Sequence, residues 1–175
     1  VPLPEVGYDT SDRRLAFADD LLPRLRALAG VEHAAIVSSL PLGGGLSLAN
    51  ISVEGAPQPQ PGRNPLASVV SASPGYFETL GITLETGRLL DERDGRPGAD
   101  PVVVVNETLA SRHWAGQSAI GKRLKLGDAS SLRPWMTVVG VVGDVRQRLA
   151  LPVRPAMYVP YAFRPPQSFT VAVRT

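Results

Sequence analysis

The period of apolar and polar positions changes repeatedly along the chain, and each change marks an element. Between Asp12 and Leu28 the residues Leu15, Ala18, Leu22 and Leu25 recur at helical spacing, and Gly30 supplies a stop. This is an amphipathic helix with two readings at Pro23: a continuous helix bent where the ring removes one hydrogen bond from the ladder, which is preferred, or a helix starting near Asp20 with Pro23 in its first turn. Val31 to Ser39 is then dense in Val, Ile and Ala and reads as a buried strand, released at Pro41-Leu-Gly-Gly-Gly45 into a loop. Asn50 to Glu54 alternates as a half-buried strand does, and the Pro-rich run Gly55 to Gly62 cannot be helix or central strand. Ala67 to Ala72 is the next strand.

Ser73-Pro74 predicts a helix start, with the Ser73 hydroxyl capping free N–H groups and Pro74 at the first helical position. The helix ends at Gly81, and Ile82 to Thr86 is extended. Asp91 to Pro101, with its charges, glycines and prolines, is a surface loop. Pro101 to Val105 has no polar alternation and reads as a strand buried on both faces, followed by Asn106 as N-cap and a helix from Glu107 to Trp114. Ile120 to Leu126, Trp135 to Val142, Ala156 to Pro160 and Ser168 to Arg174 are further strands. About three helices interleaved among seven or eight strands make the class α+β.

Composition adds that 175 residues, 43% of them hydrophobic and 19% charged, can bury a core without staples. No stretch approaches the roughly 20 apolar residues that cross a bilayer, and the opening Val-Pro-Leu-Pro-Glu lacks the features of a signal peptide. A net charge of +2 with scattered Lys and Arg disfavours nucleic acid, and zero cysteines exclude disulfides and thiolate metal sites. The chain starts without Met and stops inside a strand, which reads as a fragment of something longer.

Each candidate chemistry meets an obstacle. Gly116-Gln-Ser-Ala-Ile-Gly121-Lys122 matches part of a phosphate-binding loop, but Arg123 stands where a magnesium-binding Ser or Thr belongs, and the segment runs from helix to strand. Gly43-Gly-Gly45 has no helix start behind it and reads as a loop tip, not an anion nest. There is no G-x-S-x-G elbow. His33 sits at a helix-to-strand turn, and His113 near a helix end, where the helix dipole would favour its cation. Arg93 interrupts the acidic run Asp91 to Asp94 where a calcium loop needs oxygen. The expectation is no catalytic residue, no cofactor and no metal.

Several segments taken in order resemble the periplasmic core domain of MacB-like (MacB/FtsX-type) ABC transporter permeases. They are Val31 to Leu42, Val70-Ser-Ala-Ser-Pro-Gly-Tyr-Phe-Glu-Thr-Leu-Gly-Ile82, Gly87-Arg-Leu-Leu, Val102 to Trp114, Ile120-Gly-Lys-Arg-Leu124, Trp135 to Arg146 and Tyr158-Val-Pro-Tyr161. The resemblance implies a porter-like α+β lobe from 1–86 plus 156–175, with a mostly-β, Sabre-like lobe inserted over 87–155. It implies a periplasmic domain of an inner-membrane protein whose two ends emerge together toward the membrane.

It also implies a mechanical, non-enzymatic component that transmits ATP-driven motion, to export substrate or to engage a periplasmic partner or adaptor. A cytoplasmic ABC ATPase would drive it through the rest of the permease, and the full-length permease would be a dimer. Loops on a rigid scaffold carry contacts, so Leu42, Gly43, Gly44, Gly45 and Leu46 are the candidate partner-binding residues, with the loop Glu54 to Asn64 beside them. Tyr76, Phe77 and Trp135 read as core. Two other classes compete: a soluble ligand-binding or adaptor domain, and a hydrolase with dispersed catalytic residues. A deep pocket of convergent acids, or a histidine paired with a serine, would favour the hydrolase.

Overall fold

The computed structural model describes residues 2–43, 45, 47–57, 63–146 and 151–175. Among these, the apolar runs become nine strands and the amphipathic ones helices, in the order α1 (Glu5–Tyr8), α2 (Ser11–Arg26), β1 (His33–Val37), β2 (Leu48–Val53), β3 (Leu66–Ala72), α3 (Tyr76–Leu80), β4 (Leu84–Gly87), β5 (Val102–Asn106), α4 (Glu107–Trp114), β6 (Arg123–Leu126), β7 (Met136–Val142), β8 (Ala156–Pro160) and β9 (Thr170–Arg174). The mixed α+β class is therefore the one the pattern predicted, and α2 runs through Pro23 without a break.

All nine strands belong to one hydrogen-bonded sheet, ordered β2-β6-β7-β5-β8-β3-β1-β9, with β4 paired to β7. β2 also pairs with β3, so the path from β2 through β6, β7, β5 and β8 back to β3 closes into a ring. Every ring strand sends alternate residues into one cluster: Ile51, Ala67 and Val69, Val103 and Val105, Leu124 and Leu126, Met136 and Val138, Met157 and Val159. That alternation identifies the inner face of a closed sheet. Leu109 and Trp114 of α4 pack against the same cluster. Three of the ring strands (β2, β3, β8) come from 1–86 and 156–175, and three (β5, β6, β7) from 87–155.

The opposite residues of the same strands, Val70 and Ala72, Val102 and Val104, Ala156 and Tyr158, form a second core with Tyr76 and Phe77 of α3. β1 and β9 extend the sheet beyond the ring, and α2 covers their other face through Ala18, Leu22, Ile36 and Phe169. Arg26, at the end of α2, ties these elements together: its guanidinium donates to the carbonyls of Ala34 and Pro74 and to Glu92 Oε1.

One local expectation is corrected. Ser73 does not cap the helix after it; its Oγ accepts from the backbone N–H of Ile36 at 2.8 Å, and Gly75, at φ 88°, occupies the cap position of α3 instead. A buried strand N–H is the more demanding donor, because water cannot reach it. Pro2 forms an antiparallel bridge with Ser168, just before β9, whereas Arg174 pairs with His33 at its far end, about 20 Å away at strand rise.

Candidate partner-contact surface

The loop after β1 is anchored at its base, and its described residues Leu42, Gly43 and Gly45 are exposed. Ser38 N–H donates to Ser71 O, and Ser38 Oγ accepts from Ser71 N–H at 3.0 Å. Gly43 N–H then donates to Leu40 O, closing a tight turn. Within that turn Leu42 has φ 62°, a left-handed conformation that costs a residue with a Cβ of order 1 kcal/mol, and its side chain is 56% exposed. Gly43 and Gly45 are exposed beside it. Gly44 and Leu46, the other two predicted contact residues, lie outside the described residues, as does the centre of the Glu54 to Asn64 loop.

Beside this tip a groove of about 530 Å³ opens between three segments that sequence reading left unconnected: Leu40 and Pro41, the α3–β4 turn at Leu80 to Thr83, and Gly143 to Arg146 after β7. Its lining is mostly apolar. One wall is held by a polar network centred on Asn106 and Asp144. Asn106 Oδ1 accepts from the backbone N–H groups of Leu109 and Ala156, and its Nδ2 donates to Asp144 Oδ1 at 2.6 Å and to Arg154 O. Asp144 also accepts from Thr108 N–H and, at 2.6 Å, from Thr108 Oγ1. Asn106 is legible in sequence as a cap, but Asp144, 38 positions on, carries no local signal of its role.

The residues screened for chemistry are dispersed. His33 opens β1 in register with Arg174, and His113 lies half-buried at the end of α4, edge-on to Trp114. Burial, with Arg112 a smaller cause, holds the His113 pKa below the usual imidazole value, so desolvation outweighs the dipole effect expected at a helix end. Lys122 of the phosphate-loop-like segment donates to Gln117, and that segment does run from α4 into β6. No group of three or more His, Asp or Glu side chains placed to hold a metal occurs among the described residues. Tyr76 and Phe77 are core; Trp135 is half-buried beneath Lys125 Nζ, 4.7 Å from its ring centroid.

Family comparison decides what this arrangement belongs to. Residues 5–175 match the MacB-like periplasmic core domain. The chain belongs to that family. Over 76 residues it is 36% identical to the macrolide export ATP-binding/permease proteins MacB of Neisseria gonorrhoeae and Neisseria meningitidis, a match covering 43% of this chain and 11% of theirs.

In fold, this periplasmic core domain is similar to the periplasmic region of MacB from Actinobacillus actinomycetemcomitans (TM-score 0.59, 20% identity, 87% of this chain and 62% of that one). It is similar also to the extracellular domain of the noncanonic ABC-type transporter YknZ from Gram-positive bacteria (0.59, 15%, 91% and 73%) and to a domain of a permease protein from Porphyromonas gingivalis (0.59, 21%, 88% and 66%). As a member of the family it is a transporter periplasmic domain, and no described helix is long and apolar enough to cross a membrane.

Proposed function

We propose that this periplasmic core domain is a non-enzymatic coupling element of an inner-membrane ABC permease, carrying ATP-driven motion to an exported substrate or a periplasmic partner. The family match over residues 5–175 carries this reading. Such an element needs rigid construction and an exposed contact surface, and the closed ring and the groove beside Leu42 fit that need. The driving subunit is a cytoplasmic ABC ATPase acting through the remainder of the permease, which works as a dimer.

Within the domain, 87–155 acts as an insertion in a unit formed by 1–86 and 156–175. The parallel pairing of β3 with β8 supports this, since the chain leaves after the first and returns beside it. Residues Leu42 to Leu46 and the groove lined by Leu40 and Pro41 are the contact surface. Placing a charge on the exposed Leu42 by Leu42→Asp, or on the groove wall by Ile82→Asp, in the full-length permease should reduce partner capture or export about tenfold, the effect of ~1.4 kcal/mol. Circular dichroism of the variants should match the parent. Unchanged capture and export with both variants would remove the surface from the reading.

A further inference from the structure

At the end of β7 away from the groove, the surface carries a second concavity. Met136 begins β7 and Gly143 follows its last residue, so a cleft at Met136 lies about 23 Å from the groove at Gly143, at strand rise. The cleft encloses about 230 Å³ between Leu126, Arg133, Pro134, Met136, Phe163 and Arg164. We infer that it is a docking site for an acidic segment of a partner protein, one large apolar side chain of that segment resting on Leu126 and Met136 while neighbouring carboxylates meet Arg133 and Arg164. The inference does not rest on the coupling function proposed above.

Three observations support it. The first is charge. Arg133 and Arg164 are exposed, and neither guanidinium forms a hydrogen bond or ion pair among the described residues. No acid lines the cleft. Elsewhere the fold supplies carboxylates to its arginines, as Asp94 does for Arg88 and Asp19 for Arg96. Here two like charges converge on an apolar floor, and a carboxylate brought in from outside would relieve their repulsion and accept charge-assisted hydrogen bonds.

The second is size. Pockets for drug-sized ligands enclose roughly 300–1,000 Å³, and this cleft is smaller. It has room for a single large side chain, the scale of the anchors that dominate protein interfaces. Leu132, next to Arg133, and Phe163, next to Arg164, are exposed large hydrophobic residues, so a partner seated in the cleft also covers apolar area at its rim.

The third is that both walls are held in place. Lys125 is buried, and its Nζ donates to Ala129 O at 2.5 Å and to Ser131 O at 2.8 Å while lying over the Trp135 ring. Ser131 Oγ donates back to Leu126 O. A buried ammonium spent on two loop carbonyls fixes the segment that carries Leu132 and Arg133. On the other wall the N–H groups of Phe163 and Arg164 both donate to Pro160 O, and Arg164 O accepts from Ser71 Oγ at 2.9 Å. Backbone already ordered loses little entropy on binding.

The test is a selection on the full-length permease. A displayed library of random heptapeptides is panned in parallel against the parent and against the double variant Arg133→Gln, Arg164→Gln, whose substitutions leave the apolar floor intact, and both outputs are sequenced. Peptides that bind elsewhere enrich on both. Those enriched more than about tenfold on the parent alone should carry Phe, Trp, Leu or Met flanked by Asp or Glu. A synthetic copy of the most enriched peptide is then added to the unsubstituted permease. At about ten times its Kd it should slow phenylglyoxal modification of Arg133 and Arg164 about tenfold, read by mass spectrometry, and leave the exposed Arg112 unchanged.

An absence of parent-specific peptides overturns the inference. Parent-specific peptides that are acidic but lack an apolar residue also overturn it, because they reduce the cleft to a patch of positive charge. If decanoate protects the two arginines and no peptide does, the cleft takes an anionic amphiphile and the inference again fails. Leu42→Asp and Ile82→Asp perturb the surface around the groove at Gly143, so either surface can fail its test while the other stands.

Discussion

Asn106 shows how much one side chain can hold. As a cap it should contribute about 1 kcal/mol, yet its amide also satisfies Ala156 N–H, the carbonyl of Arg154 and the carboxylate of Asp144. Asn106→Ala leaves several of these groups buried without a partner, so a loss of about 3 kcal/mol is expected by urea denaturation. Tyr76 presents the converse. Its hydroxyl is buried without a hydrogen-bond partner among the described residues, and burial drives its pKa far above the ordinary phenol value. Tyr76→Phe removes a desolvated hydroxyl and keeps the ring contacts to Phe77 and Tyr158, so stability should be unchanged or higher by up to ~1 kcal/mol.

His113 supplies a pH dependence with a definite sign. Its folded pKa lies below the unfolded value, so between the two the unfolded chain binds more protons and stability rises with pH. Its destabilising contribution is absent above about pH 6.5 and grows as pH falls toward the depressed folded value. Urea midpoints measured from pH 7.5 down to 5 should decline more steeply for the parent than for His113→Gln; parallel declines would show that this histidine does not set the slope.

At the scale of elements, β4 and β7 approach too closely to admit a Cβ at Gly87 or Gly140. A Cβ at Gly140 would stand 2.1 Å from Arg88 O, and one at Gly87 2.2 Å from Val139 O, both backbone atoms that cannot swing aside. Gly140→Ala should therefore separate β4 from β7 at a cost of roughly 2–4 kcal/mol, detected as accelerated amide exchange at Arg88, which donates to Val139 O.

Beyond β4 the charged loop is held by side chains. Arg88 meets buried Asp94 through two hydrogen bonds of 2.7 and 2.9 Å, and Arg96 grips Asp19 of α2 at 2.6 Å on both arms. This explains why a run of charges lies flat against the molecule. Composition marked it as loop, but only the fold put Asp19 within reach of a residue 77 positions away.

For the whole molecule, the ring has a thermodynamic consequence. Three strands from 87–155 and three from the rest of the chain enclose one apolar cluster, so neither set can keep its half dry when the other unfolds. Calorimetry of the domain should give one transition with equal calorimetric and van't Hoff enthalpies. Two separated transitions would mean that the insertion unfolds independently.

What the sequence by itself determined was local. Period and punctuation placed the strands because alternation and apolar runs are properties of neighbouring residues, and the Asn106 cap and the Gly81 stop follow from backbone chemistry within a few positions. The ordered segments from Val31 to Tyr161 also pointed to the family that the match over 5–175 then showed.

Tertiary structure alone decided which strands meet. Closure of the ring through β2 and β3, the use of Ser73 to satisfy Ile36, the Asp144 network and the groove under Leu40 all depend on residues far apart in the chain. The physical reason is that hydrogen-bonding groups and apolar faces are interchangeable in sequence. Which donor finds which acceptor is settled only when the faces are buried together and each polar group left among them must find a partner in place of water.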